Sequence, residues 1–67
     1  MSKADEELIT EACRVAEGME ARGGGFVKRL GLALFKADLE NMRKIRDTWP
    51  EYWATYLRVG KERRGEL

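Results

Sequence analysis

The sequence predicts an all-α fold, a small bundle of three to four helices in one domain spanning 1–67, and three observations carry that prediction. Apolar residues recur three and four apart along the whole chain, and nowhere do they alternate as in a half-buried strand. Short polar residues with acidic partners three positions on, and glycine runs, punctuate the periodic segments where helices start and stop. A hydrophobic fraction of 43% beside a charged fraction of 37% is a globular balance, too apolar for a disordered chain.

The first helix is read over about 3–21. Leu8, Ile9, Ala12, Cys13, Ala16 and Met19 form its apolar face, with Glu7, Glu11, Arg14 and Glu17 on the other side. Ser2 and Asp5 have the spacing of a capping box, and Asp5, Glu6 and Glu7 suit the positive end of the helix dipole. Gly18 inside this helix costs about 1 kcal/mol relative to Ala, which marks either a close packing contact or an early fraying point. Arg22 followed by Gly23, Gly24 and Gly25 is a stop signal, with glycine expected in the left-handed conformation and the triplet as a hinge at 23–25.

A second helix, about 26–37, carries Phe26, Val27, Leu30, Leu34 and Ala37 inward, with Lys28, Arg29 and Lys36 outside. Leu32 and Phe35 widen its apolar arc beyond one stripe, the pattern of a helix that is central or shared with another chain. Gly31 would admit a close neighbour. Asp38 is an N-cap for a third helix, about 39–47, whose Leu39, Met42 and Ile45 lead to Trp49 while Glu40, Arg43, Lys44 and Arg46 face outward. Thr48 and Glu51 read as a second capping box, with Pro50 in the first turn of a last helix, about 50–62. That helix bears Tyr52, Trp53, Tyr56 and Leu57 and runs into Gly60, after which Lys61 to Leu67 is read as a frayed tail. Trp49 and Trp53 are expected to cover the junction of the first two helices.

Composition limits the chemistry. There is no His, the commonest general base and metal ligand, and the single Cys can form neither an internal disulfide nor a thiolate cluster. No Ser-His-Asp or Cys-His pair and no metal-ligand set is present, so an enzyme, a metal and a cofactor are not expected. Cys13 is expected to be an inert core thiol. No apolar run is long enough for a membrane span or a signal peptide, and a cytoplasmic protein without membrane contact is the expectation.

Three clusters are candidate binding elements. The glycine run with Lys28 and Arg29 could cradle an anion, although it has neither the spacing of a phosphate-binding loop nor a preceding strand. Arg43, Lys44 and Arg46 on a short third helix could meet the DNA major groove, against a net charge of only +1. Tyr52 or Tyr56, whichever the core cannot hide, could contact a partner, as exposed aromatics often do.

From Gly24 to Tyr56 the string GGFVKRLGLALFKADLENMRKIRDTWPEYWATY resembles a group of short, uncharacterised helical proteins of bacteriophages, prophages and related mobile elements. The shared features here are Gly24, Gly25 and Phe26, then Ala37 and Asp38, then Asn41, and finally Trp49, Pro50, Glu51, Tyr52, Trp53 and Tyr56. The resemblance covers about half the chain and consists of caps and core positions. It implies a phage or mobile-element setting within a bacterial host, and no activity.

The leading expectation is therefore a small non-enzymatic helical interaction protein that binds and modulates or inhibits a host macromolecule, such as an antiviral defence component. The alternatives are an oligomer that sequesters a small anionic nucleotide ligand, and a DNA-binding regulator. A homo-oligomer is also expected. The second helix carries more apolar surface than one neighbour covers. Residues 1–25 hold three basic and six acidic side chains, whereas 26–67 hold ten and six, which favours pairing between chains.

Overall fold

A computed structural model describes residues 1–67 as four helices without a strand: α1 (Lys3–Arg22), α2 (Gly25–Phe35), α3 (Leu39–Thr48) and α4 (Pro50–Arg63). No helix is long and apolar enough to cross a membrane. The radius of gyration is 10.9 Å, matching the roughly 11 Å expected of a compact chain of this length.

The long first helix organises the rest, because α2, α3 and α4 all pack against it. It supplies Leu8, Ala12, Val15, Ala16 and Met19 to a core completed by Val27 and Leu34 from α2 and Trp53 from α4. No α3 residue is fully buried; its Leu39, Met42 and Ile45 pack on the edge of the core. The buried stripe of α1 is centred on Val15 and Met19, so it is rotated from the face that includes Cys13. Cys13 lies about 100° round the helix from Ala12 and is exposed, which overturns its reading as a core thiol. The same rotation turns Glu11 toward α4, where it accepts a hydrogen bond from Trp53 Nε1 at 3.0 Å.

Glycine lets α1 and α4 approach along their backbones. A Cβ at Gly18 would lie 2.2 Å from the Tyr56 carbonyl oxygen, and one at Gly60 would lie 1.9 Å from that of Arg14. Gly18 therefore marks a packing contact. Gly60 is an interior residue of α4, which runs on to Arg63. Gly31 does the same for α2, where a Cβ would come within 2.9 Å of Met19 Cβ.

The ends of the helices follow elementary capping. Ser2 and Asp5 form the reciprocal box at α1, and the Asp38 carboxylate accepts from the Asn41 N–H at 2.9 Å at α3. Gly23 closes α1 by donating its N–H to Met19 O, yet its φ of −75° is not left-handed as expected. Its lack of a side chain matters for another reason, since a Cβ would meet Met19 O and Val27 Cγ1, both at 2.5 Å. The capping box read at Thr48 and Glu51 does not form. Trp49 alone separates α3 from α4, donating back to Ile45 O and accepting from the Trp53 N–H, with no side-chain cap. Pro50 follows at the first position of α4, where its missing N–H costs nothing. Of the tail read as frayed, Lys61 to Arg63 complete α4, and Gly65 adopts the only positive φ, 71°.

Candidate functional site

The second helix exposes the features that the core leaves unused. Val27, Gly31 and Leu34 face α1 and are buried. That direction leaves Phe26, Leu32 and Phe35 outside the core, at 60%, 57% and 47% exposure. Three large apolar side chains standing in water on one 11-residue helix form a concentration absent from the other helices.

A groove opens on each flank of α2. On one side, α2 and α3 flank an open space of about 340 Å³ whose apolar lining is Ala33, Ala37, Ile45 and Trp49. Trp49 closes one end, and Phe26 stands edge-on against its ring with centroids 6.0 Å apart. Lys36, Asn41, Lys44 and Thr48 form the rim, and no carboxylate lines it. On the other side, Phe35 borders a polar cavity of about 410 Å³ shared with Glu17, Glu20, Ala21, Arg63 and Arg64.

Three of the nine charged side chains of α1, Asp5, Arg14 and Glu17, form ion pairs within the chain. Arg64 donates two hydrogen bonds to the Glu17 carboxylate, and this holds Glu17 below its ordinary range despite some burial. Arg14 makes a second bidentate pair, 2.8 and 3.0 Å from the two carboxylate oxygens of Glu66, and lowers the Glu66 pKa in the same way. Each arginine is correspondingly raised, first by its carboxylate partner. Arg43 reaches Asp5 at 2.7 Å. Two of the six carboxylates in residues 1–25, Asp5 and Glu17, meet cations of the later segment inside one chain, Arg43 and Arg64.

The candidate residues are not gathered into one site. Lys28 and Arg29 are exposed on α2, and Arg29 Nη1 donates to Gly25 O at 3.1 Å, which keeps it beside the start of its own helix. On α3, Arg43 pairs with Asp5, Arg46 with Asp47 at 3.1 Å and Lys44 with Glu40 at a long 3.8 Å. All three cations of the DNA reading therefore have a carboxylate neighbour. Tyr52 and Tyr56 are both half-buried and pack on each other edge-on, with centroids 6.1 Å apart. No three His, Cys, Asp or Glu side chains come together to hold a metal ion.

Sequence reasoning missed the α2–α3 groove. Ala37 is expected on the inward face of the second helix and Trp49 over the junction of the first two helices, and Ala33 carries no expectation. The available signal was the pair of small residues four apart, opposite an α3 edge that carries Ile45.

The geometry defines a four-helix all-α protein whose second helix exposes Phe26 on the flank toward α3 and Leu32 and Phe35 on the other. No protein-family model, curated protein or solved structure gives a significant match to the chain.

Proposed function

We propose that this chain is a small non-enzymatic interaction protein that docks on a host macromolecule through α2 and modulates or inhibits it. The observation that carries the reading is the exposure of Phe26, Leu32 and Phe35 on one helix of a chain whose other large apolar residues, terminal Met1 and Leu67 apart, are buried or only partly exposed. A monomer gains nothing from the exposed part of these side chains, and each, about half exposed, gains roughly 1–2 kcal/mol when a partner covers the rest. Aromatic anchors of this kind concentrate binding energy at protein interfaces. The resemblance to short phage and prophage proteins supplies the setting, in which the partner is a bacterial protein such as a defence component.

The test is capture from bacterial lysate by the wild-type chain and by a Leu32→Ser/Phe35→Ser variant. Both residues are exposed, so the variant should melt within a few degrees of wild type while losing the captured protein. Equal capture by both chains would contradict the reading. Self-association through the same helix is the competing use. Sedimentation that shows wild-type dimers and variant monomers, with no captured protein in either case, would assign the face to a second copy.

A further inference from the structure

We propose that the groove between α2 and α3 seats an amphipathic helix of the partner that carries carboxylates along the edges of its apolar stripe. The inference rests on the docking role of α2 and names the chemistry of what docks.

The shape selects a row of side chains. The floor of Ala33, Ala37 and Ile45 is small and aliphatic, and Trp49 makes an aromatic end wall. Residues 33 and 37 present only methyl groups, so an approaching helix can lower its own apolar side chains between α2 and α3. This is the helix-in-groove mode, read by anchors at i, i+3 or i+4, and i+7. At about 340 Å³ and open to solvent, the groove lies near the small end of the range for small-molecule sites, which enclose their ligands.

The charge selects the sign. Lys36 and Lys44 stand on the rim and no carboxylate lines the groove. Lys36 has no ion-pair partner, and the partner of Lys44, Glu40, is held at 3.8 Å with both side chains more than two-thirds exposed. Such a pair contributes little and exchanges readily for a better one. The Trp49 ring packs edge-on with Phe26, centroids 6.0 Å apart, and its backbone is held by the bonds of the α3–α4 link. The opposite cavity, beside Phe35, lacks this selectivity because Glu17 and Arg64 pair across it. A nucleic acid is less well matched than an acidic helix. The neighbouring Arg43 and Arg46 already have carboxylate partners, which leaves two lysines over an aliphatic floor.

The probe is a synthetic helical peptide of about 18 residues, five turns at ~3.6 residues each. It carries Leu at the anchor positions and Glu at the flanking ones, and a second peptide has Lys in place of every Glu. Each is titrated into the intact chain and followed by the methyl resonances of Ala33, Ala37 and Ile45 and the indole N–H of Trp49. The buried Trp53 indole, bonded to Glu11, serves as the folding control. The Glu peptide should shift the groove resonances saturably and bind at least tenfold more tightly than the Lys peptide, and Lys36→Glu/Lys44→Glu should invert that preference. No shift with either peptide, or equal binding of both, overturns the proposal. Shifts confined to Leu32 and Phe35 overturn the groove but leave α2 as the docking helix. Groove shifts that appear on concentrating the chain without peptide assign the groove to a second copy, and tighter binding of a single-stranded oligonucleotide assigns it to nucleic acid; either result overturns the proposal. Groove binding by the Glu peptide together with equal lysate capture by wild type and the Leu32→Ser/Phe35→Ser variant would contradict the docking role and not the groove.

Discussion

Replacing Gly60 by Ala adds one methyl group and should unfold the protein at a markedly lower temperature. In the middle of an exposed helix this change stabilises by about 1 kcal/mol, because Ala has the better helix propensity. Here the new Cβ would lie 1.9 Å from the Arg14 carbonyl oxygen and 2.6 Å from its carbonyl carbon. Both atoms are backbone in the middle of α1, so no side chain can turn aside and the two helices must separate. Neighbouring contacts of Gly18 with Tyr56 O and of Val15 within the core loosen with them. Overpacking of this kind costs about 3 kcal/mol at the upper end of the usual range, and subtracting the propensity gain leaves a net loss of about 2 kcal/mol. For a domain of this size that lowers Tm by roughly 8–16 °C. Circular dichroism melts in parallel with Gly25→Ala give the sign directly. A Cβ at Gly25 meets only Arg29 Nη1, at an ordinary 3.5 Å, so that variant should melt at or above wild type. A Gly60→Ala protein as stable as Gly25→Ala would refute the close α1–α4 crossing.

Three further perturbations probe how α4 and the C-terminal turn are held. Trp53 is 6% exposed, and Trp53→Ala should cost about 3–5 kcal/mol in a chain whose total stability is on the order of 3–10 kcal/mol; an unchanged urea midpoint would show that the ring is not core. Trp53→Phe keeps most of the ring but removes the donor to Glu11, and should cost about 1 kcal/mol more than the lost volume alone. Glu17 is lowered from its ordinary 4.5 mainly by the hydrogen bonds from Arg64. Its contribution is therefore complete above that value and is lost as the pH falls through 4.5 toward the folded-state pKa. Melting temperatures of wild type should fall more steeply below pH 5 than those of Arg64→Gln, and added salt should narrow the difference; parallel pH profiles would contradict the pairing.

The helices were legible because their signals are local. The Ser2–Asp5 box and the Asp38 cap need only three-residue spacing, and the glycine run ends a periodic segment wherever the chain goes next. Rotation about the helix axis was not legible. In α1 both the Cys13 side and the Val15 side satisfy an apolar period, and the choice was made by α4. It packs on Gly18 through Gly60 and draws Glu11 to the Trp53 indole. Nothing near Glu11 in sequence announces a tryptophan 42 residues away. The ion pairs of Arg14 and Arg43 were hidden for the same reason, since both partners are distant in sequence. Composition showed the imbalance of charge but not that the fold would bring the two signs together. The exposed side of α2 was partly visible, because Leu32 and Phe35 widen the apolar arc beyond what one neighbour covers. The groove beside it needed the placement of α3.

The central claim is that α2 is the docking face, and photo-crosslinking in bacterial cells tests it most directly. A photoreactive phenylalanine analogue is placed at position 32 in one protein and at the exposed position 7 of α1 in another. The account predicts a discrete crosslinked band larger than two copies of the chain from position 32 and none from position 7. Crosslinking to the same protein from position 7 alone, or with equal yield from both positions, would contradict it.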